Sequence, residues 1–297
     1  MTKETLLFSI IIPAYNEEAG IQSVITDLAT TLQPMQGQYE MIVVNDGSRD
    51  RTRELLRELK TRQLIPSMRV IDHPQNLGYG AALKTGIRLA KAPLMVITDA
   101  DGSYPNEQIP HLVQICKDFD MVVGARIGDQ VTYPLLRKIP KWFLVRFAEW
   151  ITGSKIPDLN SGLRVFKKRI AQRFLPILPD TFSFTTSITI AMLTNRYAVH
   201  YEAIDYHPRL GHSKIKPIQD TLRFIQLILR IGVYFAPLKV FLPFAVLAFF
   251  GFLTALGIDI FVRRDLTERT LLLLIAWTQT AMFALLADMI DKRTKRP

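Results

Sequence analysis

Cysteine is almost missing from this chain: Cys116 is the single one among 297 residues. An internal disulfide is therefore excluded, and with it the cross-linked class of small secreted folds. Histidine is sparse as well, with five residues, and there is no CxxC pair, no HExxH and no His-rich cluster. Zinc chemistry thus lacks its usual ligands. A secretory leader is not evident either. Met1–Leu7 is short and mixed, and the next apolar run, Phe8–Pro13, has the length of a strand. The front of the chain is accordingly expected to stay in the cytoplasm. Internal repeats and low-complexity segments are absent.

What is abundant is positive charge and apolar surface. Lys and Arg number 37 against 27 acidic residues, for a net charge of +10 and a pI near 9.7. Hydrophobic residues make up 48% of the chain, with a mean hydropathy of +0.15. A basic balance of this size points to nucleic acid, anionic lipid or phosphorylated substrates. The cations gather beside apolar segments instead of forming a separate stripe, which argues against nucleic acid.

From Leu7 to Ala125, short apolar runs alternate with helical patterns. Leu7–Pro13, Tyr39–Asn45, Met68–Asp72, Leu94–Thr98 and Met121–Gly124 are rich in β-branched residues and nearly continuous in hydrophobicity. Such runs suit parallel strands covered on both faces. Between them, Ala19–Leu32, Asp50–Arg62, Gly80–Ala90 and Gln108–Lys117 read as helices, with Asp50 as an N-cap. The spacing is that of βαβ units in an α/β fold, where ligands collect at the carboxyl ends of strands.

The C-terminal third has a different character. Pro237–Val262 and Leu271–Ile290 are apolar runs of bilayer-spanning length, split by Arg263-Arg264-Asp265. The pattern predicts a hairpin of two spanning helices. Basic residues flank it on the approach and in the tail, so the catalytic portion and the C-terminus are both expected on the cytoplasmic side of a multi-pass cell-membrane protein. Residues 134–153 mix aromatics, including Trp142 and Trp150, with Arg and Lys. They read equally as an interfacial membrane helix or as an ordinary amphipathic helix on the sheet. The expected organisation is a catalytic domain over 1–215, a juxtamembrane amphipathic helix over 216–235, and the hairpin with its basic tail over 236–297.

Asp99-Ala100-Asp101 closes an apolar strand. Two carboxylates that alternate within a strand can converge where it turns, on one hard cation such as Mg²⁺. An ion there would neutralise a diphosphate leaving group. Asp46 follows another strand, where its carboxylate suits either a base or ribose or an Asx turn. Tyr15 could stack and Glu17 could meet a base edge, or both belong to a turn and helix start. Gly78 and Gly80 resemble a phosphate loop, but Leu83 occupies the third glycine position of GxGxxG. A tight turn into a helix is the better reading. Arg126, Arg137, Arg164, Arg209 and Lys214 supply cations suited to phosphate.

Taken in order, the runs IIIPAYNEE (Ile10–Glu18), IVVNDGSRDRT (Ile42–Thr52), NLGYGAALKTGI (Asn76–Ile87), ITDADGSYP (Ile97–Pro105), VVGAR (Val122–Arg126), DLNSGLRVF (Asp158–Phe166) and YHPRLGHSKI (Tyr206–Ile215) resemble glycosyltransferase family 2. The branch is that of dolichol-phosphate mannose synthase and bacterial polyprenyl-phosphate glycosyltransferases. The resemblance implies a GT-A fold and an inverting transfer of a sugar from a UDP- or GDP-sugar to a polyprenyl phosphate at the cytoplasmic face. Pro13, Tyr15, Glu17 and Asp46 would hold the nucleoside. Asp99 and Asp101 would hold Mg²⁺ or Mn²⁺ on the diphosphate. Arg126 and Arg137, with Ser161 and Arg164, would receive the acceptor phosphate. Arg209 and Lys214 would contact donor phosphates. Many relatives carry Gln as a further metal ligand where this chain has Ser103. The alternatives are a glycan or lipid hydroxyl acceptor, and a catalytically silent membrane scaffold of the same fold. A processive polysaccharide synthase is disfavoured, since the chain has no QxxRW motif. Homo-oligomerisation is compatible with the sequence.

Overall fold

The computed structural model describes residues 6–126, 135–208, 230 and 232–294. The chain divides into two compact units: Met1–Val145 with Ser154–Lys216, and Arg146–Gly153 with Pro217–Pro297.

The first unit is built on a seven-stranded sheet. Its strands are β1 (Phe8–Ala14), β2 (Tyr39–Asn45), β3 (Met68–Asp72), β4 (Leu94–Ile97), β5 (Met121–Arg126), β6 (Arg164–Lys167) and β7 (Val199–Ile204), in the order β3-β2-β1-β4-β6-β5-β7. β1 and β2 are buried along their whole length, as their unbroken apolar runs require. Helices α1 (Ile21–Thr31), α2 (Thr52–Thr61), α3 (Tyr79–Leu89), α4 (Ile109–Ile115), α6 (Lys168–Phe174) and α7 (Phe184–Thr194) complete the layers, and α5 (Leu135–Thr152) is divided between the two units at Val145. The expected strands and helices of the first half are present, with ends shifted by one to three residues in most cases. The helix expected over 108–117 divides into a 3₁₀ turn (Asn106–Gln108) and α4.

One detail differs from expectation: Asp50 sits one residue before the N-cap Arg51 of α2, and its Oδ1 accepts the Thr52 N–H at 3.0 Å. The sheet is mostly parallel, as a GT-A fold implies, with one inverted strand: β6 runs antiparallel to both β4 and β5, while the other pairs are parallel. That inversion brings the start of β6 to the same edge as the ends of β4 and β5.

At the opposite edge, the strand beginnings are tied by a buried carboxylate. Glu40 accepts the Ser9 hydroxyl at 2.7 Å, the Lys91 N–H at 2.5 Å and Arg69 Nη2 at 2.8 Å. Ser9 and Glu40 are register partners in β1 and β2, and Lys91 leads into β4.

In the second unit, α8 (Pro237–Ile258) and α9 (Glu268–Thr294) are joined by a π turn (Asp259–Arg263). Pro237–Arg263 and Glu268–Ile290 are long and apolar enough to cross a bilayer, with mean hydropathies of 2.2 and 1.8. Trp277 of α9 packs against Phe249 and Phe252 of α8, with ring centroids 4.9 and 6.4 Å away. Asp259 Oδ2 accepts the Thr267 N–H at 2.8 Å and the Thr270 hydroxyl at 2.6 Å, so the end of one helix caps the beginning of the next. α5 buries Leu144, Ala148 and Ile151 and exposes Trp142, Phe143 and Trp150. It thus packs one stripe and presents an aromatic one. Most of the expected juxtamembrane helix over 216–235 lies outside the described residues.

Removing the Glu40 carboxylate leaves the buried Ser9 hydroxyl and the Lys91 amide without this acceptor, while the half-exposed Arg69 keeps the Leu89 carbonyl. Glu40→Ala is expected to lower the unfolding free energy of the sheet unit by about 2–4 kcal/mol. Chemical denaturation of the full chain in detergent, followed by near-UV circular dichroism, measures it.

Candidate active site

Strand ends converge on one edge of the sheet, and most of the residues singled out in the sequence meet there. Pro13 lies in the buried end of β1, and Tyr15 and Glu17, partly exposed, follow the strand. The β1–α1 and β2–α2 loops are stitched together. Ser48 Oγ accepts the Asn16 N–H at 3.0 Å, and Asn16 Oδ1 accepts the Arg49 N–H at 2.8 Å. Asn16 holds a left-handed φ of 51° to do so, a conformation that asparagine tolerates better than most residues.

Asp46, expected at the nucleoside, stands at the end of β2 and supports the neighbouring turn. It is buried, and its two oxygens accept the N–H groups of Leu77 and Gly78 at 2.9 and 2.8 Å and His73 Nδ1 at 2.7 Å. The carboxylate therefore shapes the turn that starts α3. Gly78 takes φ 108° and lies against the Asp180 carbonyl. This is the tight turn into a helix expected for the Gly-rich run.

The pair of carboxylates stands at the end of β4, the centre of the sheet. Its turn is clamped between two glycines. A Cβ on Gly20 would meet the Ala100 carbonyl oxygen at 2.7 Å, and a Cβ on Gly162 would meet Asp99 Oδ2 at 2.6 Å. Neither distance admits a side chain without movement. Asp99 Oδ1 accepts the Tyr79 hydroxyl at 3.0 Å. Asp101 Oδ1 accepts the Ser103 N–H at 3.0 Å and its hydroxyl at 2.5 Å. Ser103 is fully buried and braces Asp101. Two hard carboxylate groups on one turn are the donor chemistry that Mg²⁺ or Mn²⁺ takes when substrate phosphates complete the shell.

Tyr104 stands between Asp99 and Arg126. Its hydroxyl accepts the Gly162 N–H at 2.6 Å. Burial, then the Asp99 charge, hold its pKa far above the ordinary tyrosine value, with Arg126 opposing. The Tyr79 hydroxyl is raised for the same two reasons. Both phenols remain neutral and act as hydrogen-bonding groups.

Arg126 ends β5 and forms a two-pronged pair with Asp158: Nε to Oδ2 at 2.7 Å and Nη2 to Oδ1 at 2.9 Å. Its guanidinium also lies over the Tyr206 ring, 5.2 Å from the centroid. Burial raises the Asp158 carboxyl, but the Arg126 pair and the N–H groups of Asn160 and Arg126 outweigh it and hold the pKa below the usual range.

Two residues expected at the acceptor phosphate lie in the interior. Arg164 is fully buried, and its fork donates to the Ser161 carbonyl, the Thr185 carbonyl at 3.0 Å and Thr189 Oγ1 at 2.9 Å. Ser161 is fully buried too, with its hydroxyl directed at the Leu163 carbonyl at 3.4 Å. Together they set the loop that carries Asp158 and Gly162. Arg209 and Lys214 lie outside the described residues, and Arg137 falls on α5 at a position whose side chain is also outside them.

The sequence reading passed over Tyr79, Tyr104, Asp158 and Phe182. The first three stood inside the quoted motifs but were given no role, because a tyrosine or aspartate in a loop carries no signal of its partner. Phe182 is exposed at 73% and stacks on Tyr79, 5.3 Å between centroids. Its loop is pinned by Lys84 Nζ to Asp180 Oδ1 at 2.7 Å.

Residues 9–175 match the family Glycosyl transferase family 2, and the chain belongs to that family. It is 28% identical over 211 residues to a dolichyl-phosphate hexose transferase of Haloferax volcanii, covering 70% of this chain and 86% of that one. An undecaprenyl-phosphate 4-deoxy-4-formamido-L-arabinose transferase of Aeromonas hydrophila is 29% identical over 190 residues, covering 61% of this chain. The chain spans little more than half of that relative, at 57% of its length. Among solved structures, glucosyl-3-phosphoglycerate synthase from Mycobacterium tuberculosis, in complex with Mn²⁺, uridine diphosphate and glucosyl-3-phosphoglycerate, superposes with a TM-score of 0.55. It is 20% identical, covering 77% of this chain and 80% of that one, which shows the shared GT-A fold.

The Arg126–Asp158 pair carries a pH signature. A carboxyl with a depressed folded pKa contributes stability above its unfolded value near 3.9, and that contribution is lost as pH falls through the folded value. The Tm gap between the wild-type chain and Asp158→Asn should be widest at pH 6–7 and close below about pH 4. Scanning calorimetry across pH 3–7 reads it.

Proposed function

We propose that this family 2 member transfers a hexose-type sugar from a nucleotide-sugar to a polyprenyl phosphate at the membrane surface. The observation that carries the reading is the clamped Asp99–Asp101 turn on the same sheet edge as the Arg126–Asp158 pair, in a chain that also holds two bilayer-length helices. Support comes from relatives whose names specify dolichyl and undecaprenyl phosphates, and from a structural neighbour described with Mn²⁺ and uridine diphosphate.

Asp99 and Asp101 hold a divalent cation, which when bound neutralises the diphosphate as it leaves. Tyr79 and Gly162 fix the Asp99 carboxylate, and Ser103 fixes Asp101. The local charge favours such an ion: Asp99 and Asp101 share one turn, and Arg126 is already paired with Asp158. Two anionic substrates need a cation added to that balance before they meet. Tyr15 and Glu17, at the β1 end, line the nucleoside side. Arg126, with Arg137 on α5, receives the acceptor phosphate, while Arg209 and Lys214 contact donor phosphates.

An acceptor phosphate is already anionic, so its oxygen attacks the sugar C1 without a strong base, and the configuration at C1 inverts. The protein's task is alignment and shielding of like charges. A hydroxyl acceptor would need a general base. Asp158, the carboxylate beside the proposed acceptor site, is held ionised by Arg126 and makes a weak one. Spanning helices confine the search for a lipid acceptor to two dimensions, with the catalytic unit on the cytoplasmic side.

The test incubates purified chain in vesicles with a panel of UDP- and GDP-sugars and undecaprenyl phosphate, with Mg²⁺, Mn²⁺ or EDTA. A glycolipid that requires the cation is expected; soluble glycan products with none on lipid phosphate would reject the reading. Asp101→Ala should lower turnover by roughly 10²–10³-fold while the melting curve is kept; full activity in that variant removes the metal role.

Arg137→Ala is expected to raise KM for the lipid several-fold and leave KM for the donor within about twofold. An unchanged lipid dependence would reject its acceptor role.

A further inference from the structure

α9 places a carboxamide where a bilayer has its driest layer. Gln279 lies eleven residues from either end of the apolar segment Glu268–Ile290, which puts it at mid-span for a helix rising 1.5 Å per residue. The neighbouring hydroxyls are satisfied within the helix. Thr278 Oγ1 donates to the Leu274 carbonyl at 3.0 Å, and Thr280 Oγ1 to the Ala276 carbonyl at 2.7 Å. Gln279 has no hydrogen bond to any described residue, and its side chain is exposed.

It does not face α8. That contact uses the other side of α9, through Thr270, Trp277 and the buried Ala284. On the outward side, Leu272, Ile275, Gln279, Met282, Leu286 and Met289 repeat at alternating steps of three and four, and the five apolar members are all exposed. This is the a/d seam of a heptad, with one polar residue at its centre. α8 offers no rival: the hydroxyl of Thr254 bonds back to the Phe250 carbonyl at 2.8 Å.

Hydrocarbon provides no partner for an amide, so polar side chains in membrane helices turn toward other helices. A carboxamide carries both donor and acceptor, so the group that completes it across a two-fold axis is another of its own kind. We propose that two copies of the chain pair through this face of α9, with their Gln279 carboxamides exchanging hydrogen bonds and the heptad seam fixing the register.

The pairing rests on α8 and α9 spanning the membrane, not on the reaction catalysed. The experiment uses the full chain with Cys116→Ser, in vesicles of phosphatidylcholine and phosphatidylglycerol, carrying one new cysteine at a time. Copper-phenanthroline oxidation should give disulfide dimers for Ile275→Cys and Met282→Cys, and at least about tenfold less for Leu285→Cys, which is exposed to the side of the seam. Adding Gln279→Leu should cut the Met282→Cys dimer about three- to tenfold, while Gln279→Asn keeps most of it. Carbonate washing and glycolipid synthesis are followed on the same vesicles. Equal cross-linking at Leu285→Cys, an unchanged dimer with Gln279→Leu, or release of the chain by carbonate overturns the proposal. Absent glycolipid with intact cross-linking would sink the proposed function alone.

Discussion

The chain's chemistry hangs on how closely the Asp99-Ala100-Asp101 turn is gripped. Gly20, just before α1, leaves no room between itself and the Ala100 carbonyl, and Gly162, just before β6, leaves none beside the Asp99 carboxylate. A carboxylate pair that could relax outward would repel itself into solvent. Backbone packed on both sides, with Tyr79 on one carboxylate and Ser103 on the other, removes that freedom. Preorganisation of this kind places the cost of assembling like charges on folding, before any substrate arrives.

That cost explains the polar interior around the site. Arg164 is buried with carbonyls and a hydroxyl as partners, an arrangement that satisfies its fork without cancelling its charge. Burial lowers its pKa, and the nearby phenols and Asp158 raise it. The cation thus stays beneath the site as fixed positive potential, while Arg126 provides the cation at the rim. Asp158 keeps Arg126 oriented through two bonds to the planar fork, a geometry that a lysine point charge would not define.

The fold's first half was legible because burial on both faces leaves a plain mark: β1 and β2 are continuous apolar runs, and the carboxyl-edge rule then selects Tyr15, Glu17, Asp99, Asp101 and Arg126. β6 and β7 left no such mark. β6 is four residues long and starts at an arginine, and β7 is a run of mostly half-buried residues at the sheet margin. The surroundings of Arg164 were illegible for a related reason. A guanidinium that faces a phosphate and one that binds carbonyls have the same letter in the same loop, and only the fold shows which partners it has. The bracing of the turn before α3 by Asp46 was hidden likewise, since its partners Leu77, Gly78 and His73 lie about thirty residues away.

The antiparallel β6 gives the site its second half. In a wholly parallel sheet, one edge receives only the loops that follow strands, and the loops that precede them lie a strand length away. Inverting one strand between β4 and β5 brings a preceding loop, Asp158–Leu163, onto the catalytic edge. This loop supplies Gly162 against Asp99 and Asp158 against Arg126, so it touches both the carboxylate turn and the arginine proposed to meet the acceptor. The β1–α1 and β2–α2 loops are stitched to one another through Asn16, Ser48 and Arg49. Changes confined to the β6 loop can therefore alter how Arg126 is presented while those two loops keep their own bonds. The carboxylate turn limits how far such changes can go, because Gly162 packs against Asp99.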